Sequence, residues 1–151
     1  QSGLSIVRIE AMSTSTLSSS EIDSLLEAAR AALNNSHSPY SGLRVGAALL
    51  AQDGTVHAGC NVESASYGLT ICAERNAVFR AIADGVRGFR AVLITTDRDA
   101  ALMPCGACRQ VLHELESELE VIVVGSSGER IDTTISALLP CAIGEAEIKG
   151  S

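Results

Sequence analysis

Thr70-Ile71-Cys72-Ala73-Glu74-Arg75 and Met103-Pro104-Cys105-Gly106-Ala107-Cys108-Arg109-Gln110 are the two stretches around which the chain is organised. Together they hold three of its five cysteines, the soft side chains that bind metals as thiolates. If Cys105 opens a helix, Cys108 lies one turn on and on the same side, so both sulfurs face one point. Cys72 brings a third sulfur from another segment. Three thiolates are one short of a closed tetrahedral zinc site, and the open position is where a catalytic zinc activates water. Glu74 lies about 200° round a helix from Cys72, a poor place for a fourth ligand but a good one from which to hydrogen-bond that water.

Other readings of the cysteines explain less. A redox pair at Cys105 and Cys108 leaves Cys72 and Glu74 without a role. A structural zinc needs a fourth ligand from His37, His57, His113, Cys60 or Cys141, and none stands at knuckle spacing. Both motifs open helices, whose positive N-terminal ends favour thiolates. The three histidines are read as non-catalytic, and Cys60 and Cys141 as small buried residues.

The chain has 151 residues, one domain by length. Only Phe79, Phe89, Tyr40 and Tyr67 are aromatic, so Ala, Val, Ile and Leu carry most of the packing. A net charge of −7 argues against a nucleic-acid partner, which requires basic surface, and is compatible with a small uncharged substrate. No apolar run approaches the ~20 residues of a membrane span. An odd cysteine count without a secretory signal favours a reducing compartment, and the protein is expected in the cytoplasm.

Residues 1–19, rich in Ser and Thr, are expected to be a disordered or vector-derived arm, with Met12 the native start. Residues 145–151 are expected to be a tail, and 20–144 the catalytic domain. Ser20 with Asp23 resembles a capping box, and Ile22, Leu25, Leu26, Ala29 and Leu33 continue with helical spacing. Strands are predicted over 45–51, 55–62, 89–95, 120–124 and, briefly, 130–132, with Asp53-Gly54 as a hairpin turn. Helices are predicted over 72–84, stopped by Gly85, over 105–115 and over 136–139. Residues 63–71 are a polar connection and 97–104 a loop. Alternating strands and helices imply an α/β fold with a sheet covered on both faces.

With these motifs in view, the chain resembles the small homotetrameric, all-cysteine cytidine deaminases. The resemblance rests on Cys72-Ala73-Glu74-Arg75 and Pro104-Cys105-Gly106-Ala107-Cys108-Arg109-Gln110. It extends to Ser38-Pro39-Tyr40-Ser41, Val45-Gly46-Ala47-Ala48-Leu49-Leu50, Gly59-Cys60-Asn61-Val62-Glu63 and Leu138-Leu139-Pro140. It implies a three-layer α/β/α sandwich around a mixed five-stranded sheet. It also implies a Zn²⁺ cofactor on Cys72, Cys105 and Cys108, and hydrolysis of cytidine, with deoxycytidine, to uridine and ammonia in pyrimidine salvage. Glu74 is then the proton shuttle between water, ring N3 and the departing amine. Three thiolates make zinc a poorer Lewis acid than histidines would, and Arg75 resembles the arginine that draws charge off the sulfurs.

By the same resemblance Asn61 and Glu63, which share one face of a strand end, hold the ribose, and Ala73 offers backbone hydrogen bonds to the base. Tyr67 is expected to line the pocket. Leu43 and Ile143 stand where the family usually has phenylalanines flanking the pyrimidine, and Ser64 where asparagine is common. The missing rings leave two alternatives: a deaminase of a modified cytosine nucleoside such as blasticidin S, and a non-catalytic zinc-stabilised module. The implied partners are a nucleoside and further copies of the chain in a homotetramer whose sites are completed across subunits. No nucleic acid and no membrane is expected.

Overall fold

The computed structural model describes residues 14–150. Five strands form one mixed sheet in the order β2-β1-β3-β4-β5. They are β1 (Val45–Ala51), β2 (Val56–Cys60), β3 (Phe89–Thr96), β4 (Glu120–Val124) and β5 (Arg130–Thr134). β1 runs antiparallel to β2 and to β3, and β4 antiparallel to β5. β3 and β4 are parallel. A parallel pair needs a crossover, and α3 (Gly106–Leu115) supplies it.

The central strands are near-continuous apolar runs because both sheet faces are covered. Ala47, Leu49, Ala51, Val92, Ile94, Val121 and Val123 pack on one face with Ala77, Val78 and Ala81 of α2 (Ala73–Ala83) and Leu112 of α3. Ala48, Leu50, Ala91, Leu93, Ile122 and Val124 pack on the other with Leu25 and Ala29 of α1 (Ser19–Leu33). Alternation along each strand thus gives the expected α/β/α sandwich. Gly59 lets α2 approach: a Cβ there would lie 2.4 Å from the backbone N of Ala77. Gly85, at φ 84°, ends α2 as predicted.

Several boundaries differ from those the sequence predicts. The capping box of α1 is Ser18 with Glu21, not Ser20 with Asp23. Glu21 N donates to Ser18 Oγ at 3.2 Å and Ser18 N to a Glu21 carboxylate oxygen at 2.9 Å. The expected arm is not wholly free, because Ser15 Oγ donates to Glu120 at 2.6 Å and Leu17 is buried. Met12 and residues 1–13 lie outside the described residues. β2 ends at Cys60, β5 extends to Thr134, and the helix predicted at 136–139 is α4 (Ile135–Leu138), begun by the Thr134 side chain as N-cap. Within the polar connection, Tyr67–Leu69 make a 3₁₀ turn. The expected tail contains α5 (Glu145–Lys149). Among the described residues, no helix is long and apolar enough to cross a membrane.

Candidate functional site

Cys72 is the N-cap of α2 and Cys105 the N-cap of α3, and neither uses its side chain to cap its helix. Both sulfurs are therefore available to a shared point. Cys108, one turn into α3, is fully buried beside them. The three Sγ atoms lie within 4.8 Å of one another, and all three cysteines are free thiols. Cys72 and Cys105 Sγ are 3.8 Å apart. Two thiolates each ~2.3 Å from a tetrahedral zinc stand roughly 3.8 Å apart, so the donor set and the spacing both fit that ion.

The surrounding charges favour the ionised form at Cys72. A hydrogen bond from Cys108, reinforced by Arg75 and Cys105, holds its thiol down to about 5 against the opposing effect of burial. Cys108 moves the other way, because it is the donor to Cys72, is buried, and faces Glu74. Arg75 Nη2 donates to Cys72 Sγ at 3.5 Å, and that contact raises the arginine's own pKa. Its Nε is buried with no hydrogen-bond partner among the described residues. Glu74 is 5 % exposed. Burial pushes its carboxyl up to about 7, with the charge of Cys72 acting in the same direction.

Some of these groups line a cavity of about 360 Å³, with Cys108 and Arg75 behind them. Cys72, Ala73, Glu74 and Cys105 form one end, Leu43, Val45, Ile94, Leu102 and Met103 an aliphatic wall, and Ser41, Asn61, Glu63 and Thr70 a polar remainder. The sequence reading misses Leu102 and Met103, which fall in a stretch legible only as a loop. Their signal is adjacency to Pro104-Cys105.

Asn61 and Glu63 do come together in the cavity, and both are already at work in the fold. Asn61 is buried; its Oδ1 accepts from Val45 N at 2.9 Å and from Ser36 Oγ, and its Nδ2 donates to Leu43 O at 2.8 Å. One Nδ2 hydrogen remains for a ligand. Glu63 Oε1 accepts from Tyr40 N at 3.1 Å and Ser41 N at 3.2 Å, and hydrogen bonding with Ser41 is the main influence holding its carboxyl below the usual range.

Two expected lining residues are elsewhere. The 3₁₀ turn carries Tyr67 outward, 76 % exposed, into an adjacent recess of about 420 Å³ shared with Tyr40, Ser41, Glu63, Ser64 and Thr70. Its ring meets that of Tyr40 edge-on, with centroids 6.2 Å apart. Ile143 does not line this chain's cavity. It follows the left-handed turn at Cys141 (φ 55°), the residue is 53 % exposed, and its carbonyl accepts from Gln110 Nε2 at 2.9 Å. Cys141, expected to be buried, is exposed, whereas Cys60 is half-buried. His57 is engaged away from the cavity, with Thr55 at 2.8 Å and Asp84 at 3.7 Å.

Residues 19–126 match the model of the cytidine and deoxycytidylate deaminase zinc-binding region. The chain is 40% identical to a cytidine deaminase of Sporosarcina psychrophila over 129 residues, covering 85% of this chain and 95% of that one. It is 44% identical to a cytidine deaminase of Halalkalibacterium halodurans over 119 residues, 78% of this chain and 90% of the other. The crystal structure of a cytidine deaminase from Burkholderia pseudomallei superposes with a TM-score of 0.78 at 47% identity, covering 80% of this chain and 98% of that one.

Proposed function

The chain belongs to the cytidine and deoxycytidylate deaminase family, and from that premise we propose how its own residues carry out the hydrolytic deamination of cytidine, and of deoxycytidine, to a uracil nucleoside and ammonia. The observation that carries this reading is the clustering of the Cys72–Cys105–Cys108 triad at a cavity of nucleoside size that Cys72, Cys105 and buried Glu74 line. Zinc, held by the three thiolates, supplies a Lewis acid that makes water acidic enough to react near neutral pH.

Everything else falls to the protein. Glu74 takes a proton from the attacking water and delivers it to ring N3 as the oxygen bonds to C4. It then takes the proton of the new C4 hydroxyl and passes it to the exocyclic nitrogen; the C4 carbonyl forms as the C4–N bond breaks, and ammonia leaves. Burial keeps bulk water from competing for that carboxylate. Arg75 draws charge from Cys72, which offsets the electron-rich ligand set. The N-terminal N–H groups of α2 have no intrahelical partners, so Ala73 can hold the base by its main chain. The free Nδ2 hydrogen of Asn61 and the Oε2 of Glu63 supply a donor and an acceptor for ribose hydroxyls. Leu43, Leu102 and Met103 bury the ring.

We infer further a cytoplasmic homotetramer. Exposed Tyr67, Leu69 and Phe79 give apolar surface that assembly would cover, and Ile143, lying outside its own chain's cavity, is free to meet that of a neighbouring copy. Light scattering on the purified protein measures the mass of the assembly. The test of the activity is zinc analysis with ammonia release over cytidine, deoxycytidine, their nucleotides, base-modified cytosine nucleosides and free cytosine. Turnover of the plain nucleosides is expected, and a zinc-loaded protein that turns over none of the panel would leave only a binding module.

A further inference from the structure

Arg109 sits in the first turn of α3, with its N–H bonded to Cys105 O at 3.0 Å. Its side chain folds back toward the start of the helix, the direction helical side chains take. Nε donates to Pro104 O at 2.8 Å, the carbonyl immediately before the ligand Cys105. Nη1 donates to Leu138 O at 3.0 Å, at the end of α4. A cation at a helix N-terminus opposes the dipole there, so its location must be held by what it bonds. Both acceptors are main-chain carbonyls of segments 34 residues apart, and one of them sets the peptide that aims Cys105. Gln110 grips the same C-terminal segment farther on, through Ile143 O.

We propose that Arg109 is a positioning residue for the metal centre. It locks the Pro104–Cys105 peptide against α4, and so fixes where the Cys105 sulfur points. Cys105 needs such a device: it is the exposed member of the triad and, as an N-cap, is tied into the helix only through its carbonyl, which accepts from Arg109 N. A guanidinium suits the task because its N–H groups diverge in a rigid fork that spans both carbonyls, whereas the donors of a lysine radiate from one atom.

The inference rests on the reading of Cys105 as a zinc ligand. The experiment compares zinc-loaded wild type, Arg109→Gln, Arg109→Lys and Gln110→Ala for the half-life of zinc in excess chelator and for the thiolate-to-metal absorption of the cobalt(II) form. Arg109→Gln should release zinc about 10–100-fold faster and shift the cobalt band, with kcat falling more than KM rises. Lysine should not rescue these properties, and Gln110→Ala should leave metal release unchanged. If the glutamine variant does not fold, Arg109→Lys, which keeps the stem and charge, carries the comparison. Unchanged release and spectra in the Arg109 variants, or full rescue by lysine, overturn the proposal. Cys105→Ala separates the two readings. Zinc held normally in that variant removes the ligand assignment, whereas zinc lost there but held normally in the Arg109 variants removes only the role of Arg109.

Discussion

Arg75 Nη2 lies 3.5 Å from Cys72 Sγ, within the same turn of α2 that opens on the metal triad. The contact pairs the guanidinium with one sulfur of the proposed ligand set, so removing it would leave the thiolate charge of that set uncompensated. Arg75→Ala should retain zinc with affinity or turnover lowered about 10–100-fold, and Cys72→Ala should lose zinc or hold it loosely. Metal analysis with steady-state rates distinguishes them. Full occupancy and activity in Cys72→Ala would mean that the triad is not the site.

Glu74 is buried beside Cys72 without being at helical spacing to join it as a ligand. Glu74→Gln preserves shape and size and removes the carboxylate that accepts and returns protons. The variant should keep its zinc and its unfolding midpoint yet lose at least about 10²–10⁴-fold in kcat. Near-normal turnover in a zinc-replete Glu74→Gln protein would remove the shuttle assignment.

Asn61 has a structural duty that its expected ribose contact does not reveal. Its amide bridges Leu43 O, Val45 N and Ser36 Oγ, and so ties the residues leading into β1 to the end of β2. Truncation leaves part-buried main-chain groups without partners, so Asn61→Ala should lose about 1–3 kcal/mol of stability as well as raising KM. Chemical denaturation measures the first quantity and saturation kinetics the second. An unchanged midpoint would show that the amide bonds only to ligand.

The contrast between Cys72 and Asn61 marks what the sequence makes legible. Cys72, Glu74, Cys105 and Cys108 announce themselves because their spacing and helix-opening positions are local properties. β1, β3 and β4 are readable for the same reason, since burial on both faces writes itself as an unbroken apolar run. The partners of Asn61 are 16 to 25 residues away in the chain, and no local pattern encodes a long-range hydrogen bond. Tyr67 looks like pocket lining until the 3₁₀ turn rotates it outward. The Ser18-Ser19-Ser20 run offers several equivalent caps, and only the Glu21 carboxylate, three residues after Ser18, selects the first.

Leu43 is the position from which the base wall is best probed. Its backbone is fixed from both sides, by Leu43 N donating to Ser41 Oγ at 3.0 Å and by its carbonyl accepting from Asn61. A substitution there changes the side chain presented to the cavity and not the path of the chain. The present wall of Leu43, Val45, Ile94, Leu102 and Met103 is apolar but offers a pyrimidine no ring to stack on. An aromatic contact adds roughly 0.5–1.5 kcal/mol beyond area burial. Leu43→Phe should therefore lower KM for cytidine about 2- to 12-fold, since 1.4 kcal/mol is a factor of ten. The larger ring also takes up lateral room, so cytidines with bulky groups on the base should lose kcat/KM relative to cytidine. Both effects are read from kcat and KM for cytidine and a series of base-substituted analogues in the two proteins. A folded, zinc-replete variant with unchanged KM and unchanged analogue preference would place the base away from Leu43, against the opposite side of the cavity.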